Sequence, residues 1–99
     1  MACRVVWSGK ALADLESIAE FIEQDSLFYA RAVVAKVVAA TREISQFPMA
    51  GRIVPEMLDS EIREKFVFNY RVIYRIDGEC ATIIAVIHGK RLLEKGGRG

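Results

Sequence analysis

Histidine occurs once in this chain, at His88, cysteine twice, at Cys3 and Cys80, and proline twice, at Pro48 and Pro55. There is no C-x-x-C pair and no grouped Cys/His spacing, so no metal-ligand set is offered and both cysteines read as ordinary reduced side chains. Arg31, Lys36, Arg42, Arg71 and Arg75 interrupt every long apolar stretch, which leaves none near the roughly 18 residues of a membrane span. The opening Met1-Ala2-Cys3-Arg4 lacks the apolar segment of a signal peptide. A cytoplasmic protein is expected. Neither G-x-G-x-x-G nor G-x-x-x-x-G-K-[ST] is present, and Gly51-Arg52 is too short for a phosphate loop. No cofactor is expected.

With 99 residues, the chain has room for one core, since two halves would each bury too little surface. A hydrophobic content of 53% beside 27% charged residues predicts a globular protein rather than a disordered one. We expect a single domain over residues 1–92 and a disordered Gly/Lys/Arg-rich tail over 93–99. The net charge of +1 gives no general attraction to nucleic acid, but the charge is unevenly placed. Up to Ile62 there are 6 Lys/Arg against 9 Asp/Glu, and from Arg63 onward 8 against 4. The last third carries the positive field.

Residues 3–7, "CRVVW", are β-branched and aromatic and read as a first strand. Ser8 then offers a helix cap, and Leu12, Leu15, Ile18, Ala19 and Ile22 recur on one helical face, with Asp14, Glu16, Glu20 and Glu23 off it. That helix spans about residues 9–24. Asp25 or Ser26 can cap a second helix, whose stripe is Ala30, Val33, Val37, Ala40 and Ile44 and which stops before Pro48. Its valines favour strands, but a 20-residue period of 3.6 outweighs that propensity. Two helices joined by a short break form a hairpin able to cover a sheet. "FPMAGRIVPE" (47–56) then reads as a loop with extended stretches.

From residue 61 the period becomes two, and three strands follow. Asp77-Gly78 is the strongest turn signal; as a two-residue loop it opposes Arg75 to Cys80, Ile73 to Thr82 and Arg71 to Ile84. Tyr70, Val72, Tyr74, Ile76, Ala81, Ile83, Ala85 and Ile87 would then lie under the helices. Arg71, Ile73, Arg75, Thr82, Ile84, Val86 and His88 would face outward. For the preceding hairpin, a three-residue loop at Val67-Phe68-Asn69 places Arg63 and Lys65 beside Arg71 and buries Ile62 and Phe66; a two-residue loop reverses them. We prefer the first, because it buries the phenylalanine. The expected architecture is α+β, in the order β-α-α-β-β-β, with a helical hairpin on one face of a small, mainly antiparallel sheet.

The outward face would hold a basic surface of Arg63, Lys65, Arg71, Arg75, Lys90 and Arg91, suited to phosphate oxygens and a candidate for partner or nucleic-acid binding. Solvated edge cations are the plainer reading. His88 is either a strand-end packing residue or an acid/base group. No Ser or Cys nucleophile stands beside it, and Thr82 lies roughly 20 Å back along the strand, which disfavours nucleophilic catalysis. Glu56 could act as a general base if its loop folds over the sheet; otherwise it is a solvated carboxylate. Tyr70 and Tyr74 alternate with arginines, yet fall on the buried face.

The pattern from Trp7 to Ile22, together with Phe47-Pro48, Gly51-Arg52, Val54-Pro55-Glu56, Ile62-Arg63-Glu64, "YRVIYRI" from Tyr70 and "AVIHGKR" from Ala85, resembles the RelE/ParE superfamily of type II toxin–antitoxin toxins. The resemblance runs from end to end. It implies a growth-inhibiting toxin of the plasmid-stabilisation type, held in a hetero-oligomer by a cognate antitoxin. RelE-like members cut mRNA on the ribosome, and ParE-like members poison DNA gyrase. By that resemblance Arg71 matches the meander arginine of the cleaving members, Arg63 a basic position on the preceding strand, and Arg91 approximately the last-strand arginine, with His88 as the acid/base candidate. No Tyr follows Arg91, and the "V-I-H" ending is similar to ParE-like last strands. The leading expectation is therefore a gyrase-directed toxin, and the alternative is a ribosome-dependent mRNA endonuclease acting through Arg63, Arg71, His88 and Arg91.

Overall fold

The computed structural model describes residues 3–93, so the end of the predicted tail, 94–99, lies outside the described residues. The elements are β1 (Arg4–Trp7), α1 (Gly9–Glu23), α2 (Leu27–Gln46), a single 3-10 turn at Pro48–Ala50, β2 (Arg52–Ile53), β3 (Ile62–Val67), β4 (Tyr70–Asp77) and β5 (Cys80–His88). They form one five-stranded sheet in the order β1-β5-β4-β3-β2. All neighbours are antiparallel except β1 and β5. The α+β architecture and the helical hairpin are as expected, with β2 added as a two-residue edge inside the proline-bounded segment.

Both helices begin where the sequence provides a hydroxyl. Ser8 accepts from the N–H of Ala11 and Ser26 from that of Tyr29, each satisfying one orphan donor of a first turn. The buried residues of α2 are Ala30, Val33, Val37, Ala40 and Ile44, the predicted stripe. The stripe of α1 is rotated by one position: Ala11 and Ile22 are buried, Leu15 and Ile18 pack beside them, and Leu12 is exposed. Asp14 therefore faces inward rather than off the stripe, and its carboxylate accepts the N–H of Val86 at 3.0 Å. β1 stops at Trp7, opposite Ile83. Asp14 thus satisfies a donor on the part of β5 that β1 does not reach.

The two hairpins differ from the expected registers. Asp77 pairs with Cys80, so the loop is Gly78-Glu79. Gly78 alone takes a positive φ, +59°, which puts the glycine at the first loop position instead of the second. Farther along, Tyr74 opposes Ile83 while Ile73 opposes Ala85, so Ile84 is an extra residue on β5. That bulge inverts the facing of everything beyond it. Val86 joins the helix-side core with Val72 and Tyr74. Ala85 and Ile87 join Ile73 on the outer face, contrary to the expectation that they lie under the helices.

At the other hairpin Val67 pairs with Tyr70, which leaves the two-residue loop Phe68-Asn69. Phe66 therefore shares the face of Arg71 and is exposed, while Arg63 and Lys65 turn toward the helices. The helix side accommodates Lys65 through a 2.8 Å ion pair with Glu43 of α2. Phe68 sits at φ +53°, a conformation that costs a side-chain-bearing residue roughly 1–2 kcal/mol.

The outer face is not open. Val54, Ile62, Ile73, Ala85 and Ile87 form a second apolar cluster there, covered by Met57 from the β2–β3 loop and by Leu93 after β5. The first core lies under the helices around Tyr74, which is fully buried and donates its hydroxyl to the Pro48 carbonyl at 2.6 Å. Gly51 approaches that ring so closely that an added Cβ would lie 2.2 Å from the hydroxyl oxygen and 3.0 Å from the backbone oxygen of Glu64. Gly51→Ala should accordingly destabilise the fold by about 1–3 kcal/mol through overpacking, read as a lower urea midpoint with an unchanged slope.

Candidate functional site

Four charged side chains form a chain across the outer face of β2, β3 and β4. Arg52 of β2 pairs with Glu64 of β3, Glu64 with Arg71 of β4, and Arg71 with Glu56 of the β2–β3 loop. The register makes this possible, because Arg52 stands directly opposite Glu64, and Arg71 lies diagonally from it, two residues along β4 from the opposing Ile73. Glu64 is 1% exposed and Arg71 3%. Two charges so far from water hold only if paired and hydrogen-bonded, and every buried polar side-chain atom among the described residues has a partner.

The Arg71 guanidinium is engaged on all three nitrogens. Nε donates to Glu64 at 2.7 Å, Nη2 to Glu56 at 2.9 Å and Nη1 to the Arg91 carbonyl at 2.8 Å. The second oxygen of Glu56 accepts the N–H of Leu93 at 2.9 Å. The chain after β5 is thus laid across the sheet, with Leu93 in the apolar cluster and residues 91 and 93 tied to the ion network. A phosphate oxygen would reach Arg71 only after displacing Glu56 or this segment.

The remaining predicted site residues do not gather around Arg71. Arg63, on the opposite face, donates to the carbonyls of Ser60, Met49 and Gly51 and so holds the loops on either side of β2. Lys65 is committed to Glu43. Arg75 lies on the outer face but is exposed at the other end of β4, opposite Ile62 and Thr82. His88 opposes Tyr70, and their rings meet edge to face at 5.7 Å on the helix side of the sheet. Its Nδ1 accepts the N–H of Lys90 at 3.3 Å. The expectation that His88 shares the face of Arg71 is therefore corrected by the bulge at Ile84. The side chains of Lys90 and Arg91 lie at the rim, and Arg91 meets Arg71 only through its carbonyl.

Glu64 was not among the candidates. A carboxylate alternating with Ile62 and Phe66 on one strand face, in a chain with Arg52 and Arg71, is the signal that could have marked it. Among the described residues no group of three or more His, Cys, Asp or Glu could hold a metal ion.

The family model for the ParE toxin of the type II toxin–antitoxin system parDE matches residues 5–93. The chain belongs to the ParE toxin family. Toxin RelE2 of Caulobacter vibrioides is 30% identical to this ParE-family toxin over 90 residues, spanning 90% of the chain and 98% of the relative. The solved structure titled chromosomal ParDE TA system from P. aeruginosa superposes with a TM-score of 0.72 at 19% identity, covering 88% of this chain and 96% of that one. That structure shares the fold: one strand, a helical hairpin and a run of strands in a mixed sheet.

The ion network of this ParE-family toxin has a stability signature. The Glu56 carboxyl is held down from 4.5 to about 2, chiefly by its hydrogen bond from Arg71 and despite the opposing effect of burial. A carboxyl lowered on folding contributes stability that is present in full above about pH 4.5 and is lost as pH falls toward 2. At about 1.4 kcal/mol per unit, and allowing for the partial solvent access of Glu56, that contribution is about 2–3 kcal/mol. Glu56→Gln should lower stability at pH 7 and flatten the loss between pH 5 and 2, as followed by denaturant titration at each pH. Arg71→Ala leaves Glu64 buried without its inner partner. It should cost about 3–5 kcal/mol in the same assay.

Proposed function

We propose that this toxin inhibits growth by protein contact with DNA gyrase, and that a cognate antitoxin neutralises it within a toxin–antitoxin hetero-oligomer. The observation that carries the target is the state of Arg71. Cleavage of RNA needs a cation free to meet the charge that develops on a phosphorane. Here the arginine that resembles the cleaving members' arginine spends its three nitrogens on Glu64, Glu56 and the Arg91 carbonyl. Arg63 holds loop carbonyls, and His88 lies on the other side of the sheet. Four groups that must converge on one phosphate are thus distributed over two faces. Membership of the ParE family supports the same direction.

The site of action is the cytoplasm, where gyrase works. No helix of the described residues is long and apolar enough to cross a membrane. The ion network serves to hold the outer face and the final segment in place, so that exposed surface, rather than a catalytic pocket, meets the target.

Addition of the purified protein to gyrase and relaxed plasmid should abolish supercoiling or accumulate cleaved plasmid, while mRNA in a translating extract stays intact. Ribosome-dependent mRNA cuts that drop about 100-fold or more in a His88→Ala/Arg91→Ala variant would transfer the chain to the endonuclease reading, both side chains being exposed and outside the buried network.

A further inference from the structure

Around the β3–β4 turn the molecule exposes three aromatic side chains together. Phe66 and Phe68 are about half exposed, and Tyr29 of α2 meets Phe68 edge to face at 5.8 Å. The two phenylalanines form a ridge between two grooves. One, of about 470 Å³, is lined by Asn69, His88, Gly89 and Lys90 beside them. Within this lining the N–H of Gly89 donates to the Asn69 carbonyl at 2.7 Å. The other, of about 350 Å³, runs along Lys36, Ala39, Glu43 and Lys65.

Two features of this ridge oppose the interest of the isolated fold. Large apolar side chains stand together in water, which marks a surface made for contact. Phe68 also occupies the one positive-φ position of its turn, where glycine would be relaxed. Strain retained at an exposed aromatic points to a use for that side chain outside the fold. The rim is cationic: Arg52 lies over the Phe66 ring at 5.3 Å, and Lys36, Lys65 and Lys90 line the grooves. Glu43, the carboxylate of the lining, is already tied to Lys65.

We infer that this ridge and its two grooves are the docking surface for an antitoxin segment that places one apolar side chain in each groove and carboxylates over the flanking cations. The inference rests on the reading that the chain is an antitoxin-neutralised toxin. Aromatics among cations also suit single-stranded nucleic acid, but stacking needs free ring faces. The face of Phe66 is covered by Arg52, and Tyr29 and Phe68 cross at 62°. This geometry accepts side chains between the rings rather than a row of bases. Anchors in preformed pockets with charge at the rim are how a short segment gains affinity.

The test titrates the purified cognate antitoxin against wild type, Phe68→Gly, Phe66→Ala and Leu58→Gly. Leu58 is an exposed residue with a positive φ of 52° in the loop before β3, far along the strand from the ridge, so Leu58→Gly relaxes similar strain elsewhere. Phe68→Gly is expected to melt no lower than wild type yet bind at least about 10-fold more weakly. Phe66→Ala should show the same loss, Leu58→Gly should bind as wild type, and added salt should weaken the wild-type complex. Unchanged affinity in both phenylalanine variants overturns the inference, as does an equal loss in Leu58→Gly. So does a single-stranded RNA oligonucleotide whose binding, but not the antitoxin's, is lost with Phe68→Gly. If wild type binds no antitoxin at all, the toxin–antitoxin reading fails and the docking surface falls with it.

Discussion

Arg71 is held between two carboxylates on the outer face of the sheet, and the arrangement of that face follows from it. Glu64 could not sit at 1% exposure without Arg71 and Arg52, and Glu56 ties the β2–β3 loop to the same guanidinium with one oxygen and holds the segment after β5 with the other. A planar fork suits this task better than a lysine would, because it meets three acceptors in fixed directions. The apolar cluster of Val54, Ile73 and Ile87 closes beside the network. Hydrophobic burial and ion pairing therefore cover one surface together, and neither would cover it alone.

That coupling also bears on how a family resemblance carries function. An arginine at a matching strand position signifies cleavage only if its nitrogens are free to meet substrate. Here Glu64 and Glu56 occupy two of those nitrogens, and both lie in motifs that the resemblance itself contains.

The helices were legible in the sequence almost to the residue, because Ser8 and Ser26 cap them and the stripe of α2 repeats without interruption. The strands were legible as strands, and the faces of Val72, Tyr74, Ala81 and Ile83 followed from alternation alone. What alternation cannot carry is an extra residue. Ile84 is chemically no different from its neighbours, so nothing in its type signals that the ladder passes it over. The β3–β4 turn was misread for a different reason. Burying Phe66 looked favourable, while the fold buries Val67 and leaves Phe66 and Phe68 exposed, one of them in a conformation that a phenylalanine seldom adopts. The candidate site residues lie on two faces of the sheet as a result of those two registers. Asp14 was missed because its acceptor role depends on where β1 ends.

The parallel pairing of β1 with β5 has a consequence for how the molecule is made. The first strand has one neighbour in the sheet, and that neighbour is the last of the five strands in chain order. Closing so long a loop comes late and carries the entropy of all the chain between. The helical hairpin can form early from local contacts, but its apolar stripes wait for a sheet whose edge strand is in hand and whose partner has yet to emerge. A nascent chain of this kind has no finished surface to offer a target until nearly all of β5 has been added. Addition of β5 and closure of the sheet around β1 are thereby a single event.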